Sequence, residues 1–118
     1  MGLSIRGEQQ TEQPTEQQID EAIRSLDGQG DSFVILSSDA EEGGFVQAAG
    51  GPDQFVVEYC EGSDGRHWQS AGEQPADVVI RLFLAFKRCD NSYKTAIPWR
   101  DFSEVVDQLA WEDPMAGQ

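Results

Sequence analysis

The fold is decided by residues 45–70, which read FVQAAGGPDQFVVEYCEGSDGRHWQS. Three runs of strand-forming residues, at 45–48, 55–59 and 66–70, are separated here by short glycine-rich turns. This spacing is typical of hairpins, because glycine adopts the positive φ angles that tight turns need. A fourth run, FVIL at residues 33–36, precedes them. The sequence therefore predicts an antiparallel meander of four strands.

Helical periodicity flanks this meander on both sides. The apolar positions are Ile19, Ala22, Ile23 and Leu26 in a first segment, Val78, Val79, Leu82, Phe83 and Phe86 in a second, and Phe102, Val105, Val106 and Leu109 in a third. Their three- and four-residue spacing predicts one apolar stripe on each helix. Thr15 with Gln18, and Asp101 with Glu104, form capping pairs, and Pro75 suits the first position of the middle helix.

Two further segments complete the predicted architecture. Residues 93–97 alternate in polarity and favour a fifth strand that ends before Pro98, whereas the Gln- and Glu-rich residues 1–14 are predicted to form a flexible polar tail. The expectation is an α+β fold in which residues 15–118 make one domain. An antiparallel meander of four to five strands would carry about three helices, packed mainly on one face. The other face would meet water or a partner.

Acidic residues dominate the composition. The 118 residues include 22 Asp and Glu against 8 Lys and Arg, a net charge of −14. Residues 7–65 alone carry fourteen acids and one base. Such a charge repels nucleic acids and anionic membranes, which argues against both as partners and favours a basic protein. A surface that only keeps the protein in solution is the alternative interpretation of the same charge.

The chain offers few groups for catalysis or metal binding. It has one histidine, His67, and two cysteines, Cys60 and Cys89, whereas a zinc site needs three or four ligands. Cys60 and His67 flank one hairpin loop and could form a nucleophile–base pair, but no orienting group accompanies them. We therefore expect no metal, no cofactor and no enzymatic activity. The absence of a signal-peptide or membrane-spanning pattern predicts a cytoplasmic protein.

The register of the last predicted hairpin stays open at the sequence level. If Cys60 pairs with Arg66, Glu58 faces Trp68 on the exposed side of the sheet, where a tryptophan would resemble an interface anchor. If Cys60 pairs with His67 instead, Tyr59 and Trp68 share the core side. A slip of one residue separates the two alternatives.

Three short motifs resemble a known family. They are GFVQAAGG at residues 44–51, GRHWQSAG at residues 65–72, and TAIPW at residues 95–99 followed by the predicted helix at 101–109. The layout resembles the first Imm family of immunity proteins in bacterial polymorphic-toxin systems. The resemblance implies a small cytoplasmic α+β protein without enzymatic activity. Such a protein binds and neutralises a cognate secreted toxin, often a nuclease or deaminase.

These observations combine into one functional hypothesis and one alternative. The hypothesis is an immunity-type protein, monomeric or homodimeric, that blocks a basic toxin domain. Its predicted partner-binding residues are Asp39, Glu41, Glu42, Glu58, Glu61, Asp64 and Trp68. The alternative is a small-molecule-binding or regulatory accessory domain, with a pocket between the sheet and the helix at residues 78–86.

Overall fold

Strands and helices are described for residues 1–29, 32–38, 44–61 and 66–101 in a computed structural model of the chain. In chain order they are β1 (Gly2–Ile5), β2 (Glu8–Glu12), α1 (Glu16–Arg24), β3 (Phe33–Ser37), β4 (Phe45–Gly50), β5 (Phe55–Glu61), β6 (Arg66–Ser70), α2 (Ala76–Lys87), α3 (Tyr93–Ala96) and β7 (Trp99–Asp101). The strands form one antiparallel sheet in the order β2-β1-β3-β4-β5-β6-β7. The α+β class is confirmed, and this part of the chain forms seven strands rather than four to five.

The four predicted strands are confirmed as β3 to β6. Their alternation in burial matches the pleat of a strand, because every second side chain points to the same face. Val34 lies opposite Ala48, and Ala48 lies opposite Val57, so small and branched side chains meet across the sheet. All three are fully buried. These pairs fix which face of the meander forms the core.

The prediction of a flexible tail over residues 1–14 is wrong for residues 2–12, which form the β1–β2 hairpin. Arg6 and Gly7 both have positive φ angles, as a two-residue hairpin turn requires. β1 also pairs with β3, so its backbone groups bond on both sides. Leu3 lies opposite Leu36 and is only 2% exposed. Residues 2–12 contain few apolar side chains. Their order comes from strand pairing on both sides of β1 and from the burial of Leu3.

The prediction of a fifth strand at residues 93–97 is also wrong, because Tyr93–Ala96 forms the short helix α3. The ring of Tyr93 is buried and packs edge-on against Tyr59, with ring centroids 5.1 Å apart. The indole Nε1 of Trp99 donates to the Tyr93 carbonyl oxygen at 3.0 Å. These tertiary contacts therefore stabilise the single helical turn of α3. Asp101 belongs to β7, and the rest of the predicted helix at 101–109 lies outside the described residues.

Helices α1 and α2 cover one face of the sheet. The capping box at the start of α1 is present. The backbone N–H of Gln18 donates to the Thr15 hydroxyl at 3.1 Å, and the backbone N–H of Thr15 donates to Gln18 Oε1 at 2.8 Å. The buried core joins residues of both layers: Leu3, Ile19, Ala22, Ile23, Leu26, Val34, Leu36, Val46, Ala48, Phe55, Val57, Tyr59, Val79, Ile80, Leu82, Phe83 and Tyr93. The opposite face carries none of the three described helices.

Candidate interaction face

The face of the sheet that points away from α1 and α2 is the candidate site, and we call it the open face. Strand alternation and register assign these residues to it: Phe33, Ile35, Phe45, Gln47, Ala49, Val56, Glu58, Cys60, His67 and Gln69. Each is half-buried except Cys60, which is 8% exposed. The alternate positions on the same strands form the core, so the open face is the outer surface of the described sheet.

Apolar side chains occupy much of the open face. Phe33, Ile35, Phe45 and Val56 lie on it, although the solvent face of an antiparallel sheet is usually polar. Phe45 packs against His67 with ring centroids 6.1 Å apart. Contiguous apolar groups that stay partly exposed on a protein surface mark interaction sites. The open face thus combines half-buried apolar side chains with polar ones.

Glu58 lies in the middle of the open face. Gln47 and Gln69 are its neighbours on the adjoining strands, and Val56 and Cys60 lie on the same side of β5. Burial raises the pKa of Glu58, and the nearby His67 opposes this by lowering it. No hydrogen-bond partner of this carboxyl group occurs among the described residues. A carboxylate that has lost part of its hydration in this way gains most from a cation placed on it.

Two arginines lie near the β7 edge of the sheet: by register Arg100 is on the open face, whereas Arg66 shares the helix-covered face with Trp68. Arg100 lies opposite Gln69, and its Nε donates to Gln69 Oε1 at 3.1 Å. Arg66 forms an ion pair with Asp101 and also lies over the ring of Trp68, 5.5 Å from the centroid. The cations at this edge are thus bound to neighbours within the sheet. The carboxylate at the centre remains available to a partner.

The register of the β5–β6 hairpin decides the position of Trp68. Cys60 pairs with His67 and Tyr59 pairs with Trp68, so Trp68 lies on the helix-covered side. Its ring stacks on Tyr59 with centroids 6.3 Å apart and an interplanar angle of 18°. The alternative in which Glu58 faces Trp68 is wrong. Trp68 is half-buried at the edge of the core and does not lie with Glu58 on the open face.

The same register brings Cys60 and His67 opposite each other on the open face. Cys60 is only 8% exposed, whereas a reactive cysteine must be accessible to its substrate. Cys89 is exposed and lies far along the chain, after α2. In the part of the chain that the structure describes, no group of three or more His, Cys, Asp or Glu residues could hold a metal ion.

The structure describes little of the other predicted partner-binding acids. Asp39, Glu41, Glu42 and Asp64 lie outside the described residues, and only the backbone of Glu61, the last residue of β5, is described. The described strand ends nearest to them meet at one end of the sheet, where Ser37 pairs with Phe45 and Phe45 pairs with Cys60. Of the seven residues predicted for partner binding, the structure places Glu58 on the open face.

Cavities also occur away from the open face, among the described residues. One, of about 310 Å³, is a groove between the β1–β2 hairpin and α1. Another, of about 180 Å³, lies near Phe86 and Tyr93, at the C-terminal end of α2. The middle of α2 is packed tightly onto the sheet, since Leu82 and Phe83 are at most 2% exposed. Sequence reasoning did not find the groove, because three of its seven lining residues belong to the segment interpreted as a tail.

Comparison with known proteins finds no match for this fold and open face. No protein-family model matches the chain, and neither a curated protein nor a solved structure matches it at a significant level. None of the helices in the described ranges is long and apolar enough to cross a bilayer. The resemblance to immunity proteins therefore stays a prediction that rests on short sequence motifs.

Proposed function

We propose that this is an immunity-type protein that binds and neutralises a basic bacterial toxin domain through its open face. The observation that carries the proposal is the half-buried carboxylate of Glu58 among partly exposed apolar side chains. In the proposal the protein is cytoplasmic, acts as a monomer or homodimer, and performs no chemistry of its own.

The open face has the composition that a protein contact needs. Binding energy concentrates in a few central residues that neighbouring groups shield from water. Phe45 and Val56 supply apolar area beside Glu58, and a lysine or arginine of the partner would supply the opposite charge. The aliphatic part of such a side chain would cover the apolar groups while its charged head meets the carboxylate. Pairing would offset the cost of keeping that carboxylate partly buried.

The net charge supports the same partner class. A charge of −14 attracts a cationic domain over several ångströms and raises its association rate, most strongly at low salt. Toxin domains that act on nucleic acid carry a basic surface for their substrate. An acidic protein seated on that surface would exclude the nucleic acid by charge and by bulk. Neutralisation would then need no catalytic residue in the immunity protein.

Binding to candidate toxin domains tests this proposal. Nuclease-type domains encoded beside the gene would be titrated with the protein at low and high salt by calorimetry. We expect Glu58→Gln to weaken binding by about tenfold, because a hydrogen bond to a charged group is worth about 1.5–3 kcal/mol. Phe45→Ser, which removes apolar contact area, should weaken binding as well.

Glu73→Gln is the matched control, since Glu73 is exposed, lies outside the open face and changes the net charge equally. It should leave affinity within about twofold of the parent protein. Equal losses in the Glu58 and Glu73 variants would assign binding to net charge alone and overturn the docking role of the open face. If no candidate is retained even at low salt, the immunity function itself is rejected.

A further inference from the structure

The groove between the β1–β2 hairpin and α1 has the lining of a ligand site. Its volume of about 310 Å³ is at the lower end of the range of about 300–1,000 Å³ that small-molecule sites occupy. Leu3, Ile5 and Ala22 give it apolar surface. Its polar lining residues are Thr11, Gln18, Glu21 and Ser25. The groove lies on the helix-covered side of the sheet and is therefore separate from the open face.

Both hydroxyl groups of the groove donate their hydrogen to a backbone carbonyl oxygen. The Thr11 Oγ1 donates its hydrogen to the Glu12 carbonyl oxygen at 3.1 Å, and the Ser25 Oγ donates to the Ala22 carbonyl oxygen at 2.7 Å. A hydroxyl has one hydrogen and two lone pairs, so what these two groups can still offer a ligand is lone pairs. The groove therefore suits a ligand that donates hydrogen bonds.

Glu21 adds the negative charge. Its Oε2 accepts from Gln17 Nε2 at 3.0 Å, and its Oε1 has no hydrogen-bond partner among the described residues. Arg24, the nearest cation on α1, is bound to Asp20 at 2.8 Å and to Asp77 at 3.1 Å, so it does not neutralise Glu21. An anionic ligand would meet the like charge of Glu21 here, and Gln18 Nε2 is the donor that the lining offers.

We propose that this groove binds a primary alkylammonium group. An ammonium head has three N–H donors, which suits the Glu21 Oε1 and the two hydroxyl oxygens of Thr11 and Ser25. A guanidinium fits less well, because its donors form one planar fork, whereas the three acceptors named here belong to three different residues. The half-buried Ile5 would contact the aliphatic stem. The ligand class is thus a free aliphatic amine or a peptide-borne lysine side chain.

Amide-resolved NMR titration of the full chain tests this site. The probes are n-pentylammonium, n-pentanol as the uncharged match of the same stem, and a lysine capped at both ends. We expect n-pentylammonium to shift the amides of β1, β2 and α1, and n-pentanol to bind at least about tenfold more weakly. If the capped lysine binds, the natural ligand is a lysine side chain of a peptide. If n-pentylammonium binds and the capped lysine does not, the natural ligand is a free amine.

Three variants separate the groove from general electrostatics. Glu21→Gln should weaken n-pentylammonium binding by about tenfold, and Thr11→Val, which keeps the shape and the β-branch, should weaken it severalfold. Glu73→Gln carries the same charge change at an exposed site outside the groove and should leave the affinity unchanged. Unchanged binding in Glu21→Gln, equal binding of n-pentanol, or amide shifts spread over the whole surface would overturn the proposal.

Discussion

Replacing Leu3 by alanine tests whether the N-terminal residues belong to the sheet. Leu3 is 2% exposed, and truncating a buried leucine to alanine costs about 2–5 kcal/mol of unfolding free energy. The groove of about 310 Å³ beside Leu3 lets water or neighbouring groups occupy the vacated space. We therefore expect the lower half of that range, about 2–3 kcal/mol. For a domain of this size the midpoint of thermal unfolding should fall by about 10 °C.

Urea unfolding followed by far-ultraviolet circular dichroism measures this loss as a lower midpoint at unchanged slope. Leu84→Ala is the matched control, because Leu84 on α2 is half-buried and loses the same atoms. It should cost about 1 kcal/mol or less. A Leu3→Ala change within about 0.5 kcal/mol of the parent would refute the reasoning, since that is the range of surface substitutions. Residues 2–12 would then be the tail that their composition predicts.

Two further predictions concern the open face and a tight turn. Burial raises the pKa of Glu58 in the folded protein, so ionising this carboxyl group costs folding free energy. The stability that its protonated form provides is fully present below the ordinary pKa of glutamate. It is lost as the pH rises through the raised pKa. Glu58→Gln should therefore unfold at a higher urea midpoint than the parent at neutral pH and at nearly the same midpoint in acid, and a difference independent of pH would contradict this. Gly51 has φ +101°, and an added Cβ would lie 2.5 Å from the Leu26 carbonyl oxygen. Gly51→Ala should cost about 2 kcal/mol or more, whereas the control Gly72→Ala, with nothing within 4 Å of its Cβ, should cost little; equal losses measured by chemical unfolding would argue against the clash.

The elements that sequence reasoning found are those with a local signal. The α1 segment shows both its capping box and its apolar period, and the structure has both. The runs that became β3 to β6 combine β-branched or aromatic residues with glycine-rich turns, and these too are local properties. Antiparallel pairing of neighbours in the chain then follows from the short connections. Such local signals predict that helices cover one face of the sheet, but they do not predict the number of strands.

The elements that it missed depend on distant partners. β2 has the sequence EQQTE, which has no apolar pattern, and its strand exists because β1 beside it also pairs with β3. α3 has an alternating sequence, but the contact of Tyr93 with Tyr59 outweighs that weak preference. The position of Trp68 depended on a one-residue choice of register, and the turn residues alone leave that choice open. The groove was missed because one of its sides is the β1–β2 hairpin, which was not predicted.

Strand β2 forms one margin of the described sheet. Its register with β1 shifts between Leu3 and Ser4, so Gln10 is an extra residue that bends the strand, and Glu8 and Glu12 lie at its two ends. A bent edge with like charges at both ends is a poor template for the same edge of a second copy. At the opposite side of the described sheet lies β7 (Trp99–Asp101), after which the chain leaves the described residues. Growth of the sheet from molecule to molecule is thereby disfavoured at the β2 margin.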